Sequence, residues 1–114
     1  MTKPKSAKAK GRRLQNLVRD TLRELYPSLH EDDIKSQTMG MTGEDIVLSP
    51  AARKVIPYSF ECKNQERLDL WKSLEQALEN CRGRKPVLII KRNRSRVYAV
   101  IEFDALLDLI GGNQ

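Results

Sequence analysis

Cysteine, histidine and long apolar runs are all scarce in this chain. Cys62 and Cys81 are its two cysteines and His30 its one histidine. They form no Cys-x-x-Cys pair, and a lone histidine adds a single nitrogen donor, so the sequence argues against a structural zinc site. With no secretory signal in view, two thiols read as free rather than as a disulfide framework. No apolar stretch approaches the roughly 18 residues that mark a membrane-spanning helix. No apolar signal core follows the first basic residues. The expected setting is therefore cytoplasmic, with no membrane partner.

Acidic residues are missing from two zones. Residues 1–13 carry Lys3, Lys5, Lys8, Lys10, Arg12 and Arg13 without one acid, and these six match the net charge of +6. A second acid-free cluster holds Arg82, Arg84, Lys85, Lys91, Arg92, Arg94 and Arg96. Two such zones suit a polyanionic partner, nucleic acid above all. Aromatics are absent from residues 1–9, so that segment has no ring to stack on bases. It is expected to be a disordered, lysine-rich arm that touches phosphates through counterion release. Residues 10–114 are expected to form a single domain, the default for a chain of 114 residues.

Periodicity then sets the elements. Residues 11–26 are predicted to be a helix with a buried stripe of Leu14, Leu17, Val18, Thr21, Leu22 and Leu25, ended by Pro27. Arg12, Arg19 and Arg23 lie on its polar side and Gln15 at the stripe's border. Residues 28–33 read as a polar connection and 34–38 as a short strand. Residues 39–43 are a glycine-punctuated turn that delivers Asp45. Two strand patterns follow, 45–48 and 56–63, and the short loop between them predicts an antiparallel hairpin with Arg53 and Lys54 in its turn. A helix is expected over 68–81, with Leu70, Trp71, Leu74, Ala77, Leu78 and Cys81 buried and Trp71 in a core or dimer contact. The continuous apolar run 87–90 predicts a central strand. A polar turn over 91–96, a strand over 97–101 and a closing helix over 103–110 complete the chain. The order αβββαββα gives an α/β sandwich around a mixed sheet.

The chemistry concentrates at Glu61-Cys62-Lys63, at the end of an apolar, aromatic strand. Residues two apart on a strand share a face, so Glu61 and Lys63 emerge together while Tyr58, Phe60 and Cys62 turn to the core. A carboxylate beside an ammonium at a strand end is costly to hold unless something uses both. In the predicted hairpin, Asp45 at the start of one strand meets Glu61 at the end of the other.

This constellation resembles the PD-(D/E)XK nuclease superfamily, in which an acid follows a turn, a strand pair intervenes and Glu-x-Lys closes the site. Asp45 matches the first acid, Glu61 the second and Lys63 the lysine. Lys10-Gly11 at the start of the first helix, Gly43-x-Asp45 and the short chain are most similar to the Holliday-junction resolvase branch, including its small phage-type versions. That branch often carries a glutamate on the first helix, where this chain has Gln15. The resemblance covers roughly residues 10–101.

The resemblance implies a restriction-endonuclease-like three-layer sandwich. It implies a Mg²⁺- or Mn²⁺-dependent endodeoxyribonuclease that hydrolyses phosphodiester bonds in branched or duplex DNA. Asp45, Glu61 and the backbone carbonyl of Cys62 would hold the ion, with Lys63 and Gln15 completing the catalytic set. Hard carboxylate oxygens suit such ions. DNA contacts are expected from Lys8, Lys10, Arg12, Arg13, Arg19, Arg53, Lys54, Gln65, Lys91, Arg92 and Arg94. A homodimer is expected, because a symmetric junction needs two paired cuts. A phage-encoded version would act in its host's cytoplasm. Two other readings stand beside this one: a duplex or nicking nuclease of the same fold, and a non-catalytic nucleic-acid-binding module.

Overall fold

The computed structural model of the chain describes residues 4–38 and 40–112. The expectations for residues 1–3 of the arm and for Met39 in the glycine turn fall outside them. Helix α1 runs Pro4–Leu25, so residues 4–9 are helical and not a disordered arm. Proline at a helix start fixes φ favourably and has no amide hydrogen to leave unpaired. Ala7, Lys8, Ala9 and Lys10 are strong helix formers, and Pro27 ends the run after Leu25.

A 3₁₀ turn at Glu31–Asp33, capped by His30, precedes strand β1, Ile34–Ser36. Strand β2, Ile46–Leu48, pairs antiparallel with β1, setting Ile34 opposite Leu48. The predicted hairpin between residues 45–48 and 56–63 does not form. Instead Ser49 caps a one-turn helix α2, Pro50–Arg53, with its hydroxyl accepting from Ala52 N–H at 3.1 Å. The same hydroxyl donates to Asp33 at 2.6 Å. That local cap turns the chain away before strand β3, Tyr58–Asn64.

β3 pairs in parallel with β4, Lys85–Lys91, so that Glu61 sits opposite Leu88 and Lys63 opposite Ile90. Parallel neighbours need a crossover, and helix α3, Leu70–Asn80, supplies it. Strand β5, Tyr98–Ile101, returns antiparallel to β4 through a turn in which Arg94 has φ 63°. Helix α4, Phe103–Ile110, closes the chain and is tied to β4 by Lys85 and Asp108 at 2.8 Å. The domain is thus α/β, with a two-stranded antiparallel sheet and a mixed sheet ordered β3-β4-β5. Apart from α2 and the 3₁₀ turn, the element order is the predicted one.

Alternation along the strands builds two faces. Phe60, Cys62, Val87 and Ile89 pack with Leu14, Val18 and Leu22 of α1, and Ile34, Ile46, Leu48 and Ile56 join the same core. Each such side chain contributes about 1.5–3 kcal/mol by leaving water. α1 is therefore held by its aliphatic stripe far more than by the single, half-buried Lys10–Glu66 ion pair at its marginal 3.5 Å. The opposite face of β3 and β4 lies under α3, where Ser73, Ala77 and Cys81 are buried. Both helical stripes are narrower than predicted: Leu17, Leu25, Trp71 and Leu78 are exposed, so Trp71 is not a core residue.

Gly43 has φ +102°, a conformation that side chains strain to adopt, and it sets the direction in which Glu44 and Asp45 enter β2. Gly43→Ala is expected to lower stability by about 1–3 kcal/mol, read as an earlier urea midpoint at unchanged slope. An unchanged midpoint would show that the turn does not depend on this backbone.

Candidate active site

β3 has β4 on one edge and almost nothing on the other. One residue fills the gap. The Asp45 N–H donates to the Phe60 carbonyl at 3.0 Å, and its carboxylate Oδ2 accepts from the Cys62 N–H at 2.6 Å. Asp45 thus reaches the strand that carries Glu61 and Lys63 without any hairpin ladder. Its own carbonyl accepts from the Gln37 N–H at 2.7 Å, which continues the connection to the end of β1.

Glu61 lies on the α3 side of β3 and is 7% exposed. Its Oε1 accepts from Nδ2 of Asn80, the last residue of α3, at 3.4 Å. Loss of solvent pushes its carboxyl up to about 7, the nearby Asp45 charge adds to this, and Asn80 and Lys63 oppose it. Asp45 is also raised, first by burial, with the Cys62 amide, the Lys63 charge and the Gln15 side chain pulling it back. Two carboxylates therefore share a partly dry site in which half-buried Lys63 is the cation that acts on both. Such a pair stays ionised only if further positive charge arrives.

Gln15 is buried against this site. Its amide acts on Asp45, while its Oε1 is buried with no hydrogen-bond partner. Cys62 contributes backbone only: its thiol is packed in the core and burial pushes it up, away from thiolate chemistry. Glu44, next to Asp45, is buried and paired with arginines, and its charge also raises Glu61. Arg84 lies 2.8 Å from its Oε1 and Arg53 3.8 Å. Arg84 also donates to the Tyr58 carbonyl at 3.2 Å, fixing the start of β3.

The expected DNA-contacting residues divide by what already holds them. Lys8, Arg12 and Arg13 are exposed on α1, as are Lys54 at the end of α2 and Gln65, Arg92 and Arg94 around the β4–β5 turn. Lys10, by contrast, is buried and paired with Glu66. Arg19 pairs with Asp20 at 2.8 Å, Arg53 donates to the Leu48 carbonyl at 3.1 Å and faces Glu44, and Lys91 donates to the Arg92 carbonyl at 3.0 Å. Glu66 also accepts from the Asn93 N–H at 2.6 Å, so it links α1 to the β4–β5 turn. Asn80, Glu44 and Arg84 act on the site or its strands without having been read as such from sequence.

Among the described residues no group of three or more His, Cys, Asp or Glu side chains is placed to hold a metal ion. The donor set at Asp45 and Glu61 is two carboxylates, a neutral amide and backbone, all hard ligands. It fits a Mg²⁺-sized ion, which typically binds one or two carboxylates and keeps several waters. It does not fit zinc, which favours His and Cys. Among the described residues no helix is long and apolar enough to cross a membrane. Comparison with protein-family models, curated proteins and solved structures finds no match to this chain.

The raised carboxylates set a pH dependence. Glu61 has a folded value of about 7 against an ordinary 4.5. Its stabilising contribution is fully present below the ordinary value and is lost as pH rises through about 7; Asp45 shifts in the same direction. In chelator, the urea midpoint is expected to fall between 4.5 and about 7 on the pH scale, and to fall less in Glu61→Gln. Equal pH slopes for the two proteins would contradict the burial argument.

Proposed function

We propose that this chain is a metal-dependent DNA endonuclease of the PD-(D/E)XK type, structure-selective and related in its chemistry to the Holliday-junction resolvases. One observation carries the reading: Asp45 is bonded to the strand of Glu61 and Lys63, and the three charges act on one another in a partly dry site. The exposed cations on α1 and around the β4–β5 turn support a polyanionic substrate.

Asp45 and Glu61 would hold Mg²⁺ or Mn²⁺, with the Cys62 carbonyl available as a third oxygen. A bound ion supplies charge neutralisation at the phosphate and lowers the pKa of a coordinated water. Lys63, close to both carboxylates, stabilises negative charge that develops on the phosphate oxygens. The Cys62 amide keeps one Asp45 oxygen occupied and leaves the other to the site. Asn80 holds one Glu61 oxygen in the same way. Gln15 orients Asp45 and presents a free acceptor for water or substrate.

A second copy is expected against the face of α3, β5 and α4. Trp71 is 75% exposed, Phe103 71% and Ile110 72%. A groove of about 400 Å³ runs between α3 and β4–β5, lined by Trp71, Leu74, Leu78, Leu88 and Val100 among others. Apolar exposure on this scale is uncommon on a monomer. Two-fold pairing there would present two sites to one symmetric junction.

Cleavage of a four-way junction and of a matched linear duplex is expected to require Mg²⁺ or Mn²⁺, with the junction preferred. Asp45→Ala, Glu61→Gln and Lys63→Ala should each lower the rate by about 100-fold or more. Robust cutting by Asp45→Ala or Lys63→Ala would remove the assignment. No cleavage by the wild type, with DNA affinity unchanged in Asp45→Asn, would favour a binding module instead. Sedimentation is expected to give a dimer that Trp71→Lys dissociates, and a monomer at working concentration with DNA bound would contradict the two-fold assembly.

A further inference from the structure

Beside the carboxylates lies a groove of about 460 Å³, lined by Arg12, Gln15 and Asn16 of α1 and by Ser36, Gln37 and Thr38 at the end of β1. Its size falls in the range of ligand-binding clefts. Its lining has no carboxylate and no apolar side chain, which argues against a cation or a lipid as its occupant. It offers three carboxamides, two hydroxyls and one guanidinium.

Several of these groups are held in place. The Ser36 hydroxyl donates to Asn16 Oδ1 at 2.9 Å, which fixes the Asn16 amide and leaves its NH₂ donors for the groove. Gln37 Oε1 accepts from the Thr38 N–H at 3.1 Å, and the Gln37 backbone is bonded to Asp45 at 2.7 Å. Gln15 is 7% exposed, and its buried Oε1 lacks a partner. A buried acceptor without a donor costs about 1–3 kcal/mol, a cost that a ligand's N–H or O–H would remove. Because Gln15 also acts on Asp45, the groove begins where the carboxylate site ends.

We infer that this groove seats one nucleotide of the cleaved strand next to the scissile phosphate, with a flanking phosphate on Arg12 and the base edge read by Gln15, Asn16 and Gln37. Carboxamide NH₂ groups donate to the acceptors on base edges, and each carboxamide oxygen keeps a second lone pair for a base donor. A guanidinium matches phosphate. The inference rests on the nuclease reading for the position of the cut, but nucleotide binding in the groove can be tested without cleavage.

In chelator, DNA carrying 4-thiothymidine would be photo-crosslinked to the intact chain and the adducts mapped by mass spectrometry. Adducts within residues 12–16 or 36–38 are expected, and adducts confined to residues 82–96 would overturn the inference. With Mg²⁺, a library of cut sites would be sequenced for wild type, Gln37→Ala and Arg12→Ala. Gln37→Ala should shift preference at one position next to the cut by about 5-fold or more, raising KM with kcat little changed. Arg12→Ala should weaken binding evenly across sequences and lower the salt dependence by about one phosphate contact. An identical cut-site profile and KM in Gln37→Ala, with the fold intact by circular dichroism, would also overturn it. Absence of cleavage by wild type together with groove adducts would sink the nuclease reading and leave the nucleotide site standing.

Discussion

The structure turns on the hold that Asp45 takes on the free edge of β3. One residue gives an amide hydrogen to the Phe60 carbonyl and takes one from the Cys62 amide. It thereby joins the antiparallel pair to the mixed sheet, which share no strand ladder. A hydrogen bond to a charged acceptor contributes about 1.5–3 kcal/mol, which offsets part of the cost of keeping that carboxylate out of water. The remainder is uncompensated, and both acids are raised as a result. The arrangement that closes the fold is thus the same one that stores a demand for positive charge.

The parts of this site encoded by short-range periodicity were legible in the sequence. Strand alternation put Glu61 and Lys63 on one face and Phe60 and Cys62 on the other, and the core agrees for the latter pair. The glycine turn before Asp45 was visible too. The pairing of the strands was not, because two apolar runs with a short loop look like a hairpin. The Ser49 cap and Pro50 start of α2 redirect the chain instead. The true neighbour of β3 is β4, across the whole α3 crossover, and no local signal announces a parallel partner. The extension of α1 over residues 4–10 was missed for a related reason: lysine and alanine give that segment propensity without an amphipathic stripe. Trp71 was placed by spacing alone, whereas α3 buries only a narrow strip of Ser73, Ala77 and Cys81.

Charge in the sequence is also not the same as charge available to a partner. Lys10, Arg19, Arg53 and Lys91 all have partners within the protein. Arg84 is spent on Glu44 and the start of β3. Two groups of outward cations stand at α1 and the β4–β5 turn, with Lys54 exposed apart from them and with Gln15 and its groove at the inner margin of the first group. Asn80 and Arg84 reach the site's strands from the two sides of the α3–β4 connection, a role that spacing along the chain does not encode.

Glu66 has a consequence for how this surface meets anything large. By accepting from Lys10 on the first helix and from the backbone at Asn93 in the last turn, it clamps two distant parts of the chain into one plate. Such a link favours one spacing of the cations on either side of it. A flexible polyanion can adapt to such a plate, whereas a stiff one must already have the matching bend or be bent to fit. Shape selection would then arise from the rigidity of the protein, before any base is touched.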